Sequence, residues 1–164
     1  MQHVTIPQDR IGVLIGEGGA TMRAIEDRAE VRLDIDSGSG SVAVEPVGDP
    51  VTGMVAPDVV RAVGRGFSPE QALTLLDDDL RRFELIDIAA ATRNQKDLQR
   101  QKGRLIGENG RTRELMEELT GAEVVVYGTP VGVLGSPEDV AAVRRAGYVI
   151  VDGRPLCAVA LYLV

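Results

Sequence analysis

The chain has 164 residues, 44% hydrophobic and 26% charged, which suits one ordinary domain or two small ones and excludes a disordered or fibrous chain. No apolar run reaches the roughly 18 residues of a membrane-spanning helix, and residues 1–6 lack the regions of a signal peptide, so a cytoplasmic protein with no membrane partner is expected. Eighteen basic against 25 acidic residues leave a net charge of −7, which taken alone disfavours a nucleic-acid partner.

In chain order, residues 4–6 read as an opening strand, and Asp9 as the N-cap of a short helix over 10–14. After Gly16, Glu17, Gly18 and Gly19 a second helix is predicted over 20–29, with Met22, Ile25 and Ala29 on one face. Val31, Leu33 and Ile35 alternate with Arg32, Asp34 and Asp36, the pattern of a half-buried strand. A turn over 37–41 leads into a returning strand at 42–44. Gly and Pro break up residues 48–57 and leave the boundaries there open. A helix over 58–64 and a second one capped at Ser68, running to 76, close the first unit. Asp77, Asp78 and Asp79 read as a solvated junction.

The pattern then reopens with a strand over 82–88 and a polar helix over 94–105. A second glycine turn, Gly107, Glu108, Asn109 and Gly110, precedes a helix over 111–119 that Gly121 ends. Strands over 124–127 and 131–134 follow, then a helix starting at Ser136-Pro137 and running toward residue 145. The apolar end, 156–164, fits a helix or a strand. Cys157 lies there among apolar neighbours and reads as a core thiol; as the single cysteine it excludes an internal disulfide or a Cys-based zinc site.

The two halves repeat each other. Ile15-Gly16-Glu17-Gly18-Gly19 recurs 91 residues on as Ile106-Gly107-Glu108-Asn109-Gly110. The match continues through Thr21 with Thr112, Ile25 with Met116 and Glu26 with Glu117, then Leu33 and Ile35 with Val124 and Val126. Two copies this far apart indicate duplicated domains, expected at 1–78 and 79–164, rather than a solenoid. The order strand, helix, turn, helix, strand, strand, helix is α+β and not a parallel βαβ repeat. Without a Gly/Ser- or Pro-rich linker, the two units are expected to be packed together as one rigid body.

A Gly-x-x-Gly turn between helices lets the backbone take positive φ and lets another backbone approach without a Cβ in the way. The free amides and positive end of the following helix then face whatever enters, which suits a phosphodiester. A lone turn of this kind is usually no more than a tight helix–helix connection; two matched copies argue for a ligand. On these residues the chain resembles the KH family of RNA-binding domains, whose signature is Ile-Gly-x-x-Gly. The resemblance covers nearly the whole chain as two tandem type I KH domains, each a three-stranded sheet with helices on one face. It implies that single-stranded nucleotides are clamped against the loop, with bases on an aliphatic groove, so few aromatics are no objection. The two-module order, with Arg65-Gly66-Phe67-Ser68-Pro69 between the modules, is similar to archaeal relatives of Pno/Dim-type ribosome-assembly proteins. That likeness implies binding near the 3′ end of small-subunit rRNA, a role in ribosome maturation, and an encounter with the alpha subunit of translation initiation factor two.

The variable loop positions are often basic in KH domains; here they are Glu17-Gly18 and Glu108-Asn109. Local charge separates the modules. Residues 93–113 carry seven bases against two acids, net +5, and hold both lysines of the chain, Lys96 and Lys102. Residues 9–36 carry four bases against seven acids, net −3. The RNA site is therefore expected mainly on the second module: Lys102, Arg104, Ile106, Gly107, Glu108, Asn109, Gly110, Arg111, Thr112 and Arg113, with Gly16, Glu17, Gly18 and Gly19 as the first module's counterpart. The other reading is a protein-docking adaptor in ribosome assembly or translation initiation, built on degenerate KH modules.

No catalytic constellation competes. His3 is the only histidine and lacks triad partners. Neither turn continues as Gly-Lys-Ser/Thr, so a Walker A loop is absent, and neither sits in a dinucleotide-binding context. Asp34 and Asp36 share a strand face that reads as solvated. A non-enzyme without cofactor or metal is expected.

Overall fold

The computed structural model describes residues 1–86, 94–106, 110–127 and 131–151. The expectations for Cys157, for the apolar end and for Gly107, Glu108 and Asn109 lie outside the described residues. The chain divides into two compact units, Met1–Asp79 and Leu80–Val164.

The first unit runs β1 (Gln2–Thr5), α1 (Gln8–Ile15), a 3-10 turn at Glu17–Gly19, α2 (Ala20–Ala29), β2 (Val31–Asp36) and β3 (Ser41–Pro46). Helices α3 (Pro50–Gly53), α4 (Ala56–Gly64) and α5 (Pro69–Leu73) complete it. Its sheet is antiparallel in the order β1-β3-β2, so β3 is central and β2 lies at an edge. The register sets Val4 and Ile35 against Val42 and sets Leu33 against Val44. The apolar set thus falls on one face, as a two-residue period requires. On that face α4 packs against α1 and β1, and α2 against β2. Leu14, Ile25, Val42, Val59, Val60 and Phe67 are wholly excluded from solvent.

Two details differ from the sequence reading. Helix α1 begins at Gln8, with Pro7 at the N-cap in an extended conformation (φ −59°, ψ 142°), so Asp9 lies in the first turn instead of capping it. An acidic side chain is favourable there too, because the helix dipole is positive at that end. The broken stretch at 48–57 contains the single helical turn α3. Asp49 caps it by accepting from Val51 N at 3.0 Å, and Pro50 occupies the position where no amide is needed. Ser68 caps α5 as expected, in a reciprocal box with Gln71 (Gln71 N to Ser68 Oγ 3.2 Å; Ser68 N to Gln71 Oε1 3.0 Å).

The second unit repeats the plan with β4 (Arg82–Ile86), α6 (Gln95–Ile106), α7 (Arg111–Thr120), β5 (Glu123–Val126), β6 (Val131–Gly135) and α8 (Pro137–Val151). Its sheet order, β4-β6-β5, is the same as the first with β5 at the edge. Met116 from α7, Val124, Val131 and Val133 from the sheet, and Val140, Val143 and Ala146 from α8 form one buried cluster. Helix α8 extends six residues past the expected end at 145, to Val151. Among the described residues no helix is long and apolar enough to cross a membrane.

Candidate nucleic-acid interface

In the first module the chain leaves α1 at Gly16 (φ 76°, ψ 175°), and Gly18 (φ 61°) and Gly19 (φ 78°) keep positive φ before α2 begins. A Cβ at Gly16 would collide with the Thr21 hydroxyl and approach the Thr21 amide nitrogen to 2.8 Å, so a glycine is required where the turn closes on the next helix. Glu17 and Gly18 are exposed at the tip. The second module has the same frame: α6 ends at Ile106, and Gly110 (φ 74°, ψ 14°) has nearly the conformation of Gly19 (ψ 14°) at the start of the following helix.

Of the residues expected at the second loop, Lys102, Arg104 and Ile106 belong to α6, with Arg104 partly exposed; the side chains of Lys102 and Ile106 fall outside the described residues. Arg111 is exposed at the first position of α7, while Thr112 is buried at 3% exposure and contributes to the core. Arg113 is not a free cation. Its Nη1 pairs with Glu117 one helical turn on and donates to the Val124 carbonyl at 3.3 Å.

Arg10 corrects the charge reading of the first loop. Its Nε donates to the Val63 carbonyl (2.8 Å) and its Nη2 to the Phe67 carbonyl (2.9 Å), tying α1 to the end of α4. It is one of the four bases counted over 9–36, and the structure spends its guanidinium on main-chain carbonyls at and just beyond the end of α4. Arg23 remains by the loop, its Nη1 3.4 Å from where a Cβ on Gly19 would lie. With Arg10 withdrawn, the acidic character of this loop is greater than counting suggested.

Both modules also carry a device at the sheet edge that sequence reasoning did not identify. In the first, Glu26 on α2 accepts from the Leu33 amide of edge strand β2 at 3.0 Å. In the second, the matched Glu117 on α7 takes the Val124 amide of edge strand β5. The Glu26/Glu117 match in the repeat was the available signal. The second module adds Arg113, where the first has Met22, so both the amide and the carbonyl of Val124 are engaged. Burial pushes the Glu117 carboxyl above its usual value; Arg113 opposes this, Glu123 and Glu114 add to it, and the Val124 amide opposes it.

Beside this device lies a shallow pocket of about 210 Å3, lined by Arg113, Val124, Val125 and Val126. It is an apolar strip along edge strand β5, next to the Gly110 end of the loop. The corresponding strand of the first module presents Asp34, exposed, where the second has Val125. No group of three or more His, Cys, Asp or Glu side chains that could hold a metal ion occurs among the described residues.

Two helices joined at a glycine turn and a three-stranded antiparallel sheet with its third strand in the middle define a type I KH module, and the chain holds two, the second with an aliphatic strip at its edge strand. Residues 82–164 match the eukaryotic-type (type I) KH domain as found in the second position of Pno1, and residues 1–51 match the KH domain family. The chain is 41% identical over 156 residues to a KH domain-containing protein of Methanocaldococcus jannaschii, covering 93% of this chain and 68% of that one. It is 36% identical over 101 residues to the pre-rRNA-processing protein pno1 of Aspergillus fumigatus, covering 60% of this chain and only 40% of the fungal protein. Among solved structures, the Dim2p chain in the a/eIF2alpha–aDim2p–rRNA complex of Pyrococcus horikoshii superposes with a TM-score of 0.91 at 39% identity, covering 99% of this chain and 90% of that one. The chain belongs to the Pno/Dim-type family of KH-domain RNA-binding proteins.

Proposed function

We propose that this chain binds single-stranded RNA, the 3′ region of small-subunit rRNA, during ribosome maturation, and that the second module is its main grip. The observation that carries this reading is the valine-lined pocket beside Gly110 in the module that also concentrates the basic residues. A base on the valines and a backbone phosphate at the α7 amides can be held together, because pocket and loop adjoin. Arg111 stands exposed at the loop for the phosphate, while Glu17 and the withdrawal of Arg10 leave the first loop a poorer phosphate site. The complex of the Pyrococcus relative with rRNA and a/eIF2alpha supports both the RNA class and a protein partner of the initiation-factor alpha-subunit type. The chain acts by binding, in the cytoplasm.

The acidic first module favours a second reading for that half, docking of a protein. Fluorescence anisotropy of a labelled rRNA 3′-end oligonucleotide across a salt series tests the proposal. Binding that weakens linearly in log–log coordinates as salt rises is expected, since each neutralised phosphate releases counterions. Absence of binding at every salt concentration favours protein docking and overturns the RNA reading.

A further inference from the structure

We propose that Arg113 is a specificity-determining residue that reads a guanine in the valine-lined pocket; the inference rests on the RNA-binding reading of that site. The guanidinium is held in place, because Nη1 is shared between the Glu117 carboxylate and the Val124 carbonyl. With Nη1 anchored, the opposite edge, formed by Nε and Nη2, has no partner among the described residues. Nη2 lies 3.8 Å from the position of a Cβ on Gly110, so this edge is turned to the place where loop and pocket meet. Nε–H and one Nη2–H are parallel donors, and a guanidinium edge of this shape matches two neighbouring acceptors in one plane. Among the bases, guanine presents such a pair in O6 and N7.

A phosphate also offers two oxygens, but two features disfavour it. The Glu117 carboxylate beside Arg113 offsets the cation and repels an anion, leaving hydrogen-bond direction as what the guanidinium supplies. The pocket wall of Val124, Val125 and Val126 suits the flat face of a base and gives a phosphate nothing. The first module has Met22 at the matching position and exposed Asp34 along its strand, so it lacks this reader.

The test uses the full chain and short single-stranded RNA oligonucleotides in which each position in turn carries G, A, C, U or 7-deazaguanine, which lacks N7. For the unaltered protein, one position should prefer G by about tenfold or more, and 7-deazaguanine there should lose most of that preference. Arg113→Met should remove the preference while leaving the salt slope unchanged. Arg113→Lys keeps the charge without the fork and should remove it as well; it decides the matter if Arg113→Met does not fold. Guanine preference retained in the folded variants, or a salt slope reduced by about one with base preference unaltered, makes Arg113 a phosphate or purely structural contact and overturns the inference. RNA binding with no base preference at any position overturns it while leaving the RNA reading intact, whereas no RNA binding at all removes that reading first.

Discussion

Two arginines with similar prospects in the sequence turn out to do different things. Arg10 holds two main-chain carbonyls, at Val63 and Phe67, more than fifty residues away. Removing it takes a charged donor from both carbonyls in a partly buried setting, although Val63 O still accepts from Gly66 N; hydrogen bonds to a charged group contribute about 1.5–3 kcal/mol each. Arg10→Ala is therefore expected to destabilise the first module by about 2–4 kcal/mol in urea unfolding; a loss below about 0.5 kcal/mol would show that water replaces the guanidinium without penalty. Glu117 poses a question of sign. Its carboxyl is raised above the ordinary value of 4.5 chiefly by burial. A group whose folded value is raised contributes its stability fully below the unfolded value, and that contribution is lost as pH rises through the folded value. Ionising this carboxyl therefore costs more in the folded chain than in the unfolded one. Glu117→Gln keeps an acceptor for the Val124 amide and should melt no lower than the unaltered protein at pH 7, with any advantage shrinking toward pH 4. A larger deficit for Gln at pH 7 than at pH 4 would mean that attraction to Arg113 outweighs burial.

At the scale of the element, caps and edges decide what the local sequence can hold. Ser68 and Gln71 satisfy one another's amides at the start of α5, a helix of only five residues whose packing positions Ala72 and Leu75 in the core. Ser68→Ala should cost about 0.5–2 kcal/mol, read as a shift in urea midpoint at unchanged slope; no shift would mean that Pro69 and burial alone fix the turn. The same cap was legible in the sequence, as were the glycine turn at 16–19 and the strand over 31–36, because each rests on a local rule of spacing or backbone geometry. Helix α3 was not, since a single turn begun by Asp49-Pro50 has no periodicity to betray it. Nor was the role of Arg10 or Arg113, because both are settled by tertiary partners: the end of α4 for one, the edge of β5 for the other. The valines of the pocket stood in the repeat opposite Leu33, Asp34 and Ile35, but alternation alone does not say which strand lies at the edge of its sheet.

At the scale of the whole molecule, a chain of net charge −7 carries two copies of one fold and divides its charge unevenly between them. The repeat conserves the frame (glycine turn, helix start, glutamate at the strand edge) and varies what faces a ligand. Gly18 has positive φ, so a substitution there disturbs the backbone as well as the charge. Gly19 and Gly110 form a better matched pair, with φ 78° and 74° and the same ψ of 14°. Each has only an arginine side chain near its missing Cβ, Arg23 at 3.4 Å and Arg113 at 3.8 Å. Aspartate at either position costs the backbone about the same, so a difference in binding reports which loop meets phosphate. The most direct measurement is the affinity of Gly19→Asp and Gly110→Asp for the rRNA 3′-end oligonucleotide at fixed salt, with folding checked by circular dichroism. The account predicts that Gly110→Asp weakens binding by about tenfold or more relative to Gly19→Asp, an electrostatic loss of roughly 1.4 kcal/mol. Equal losses, or a greater loss for Gly19→Asp, would contradict the assignment of the main RNA grip to the second module.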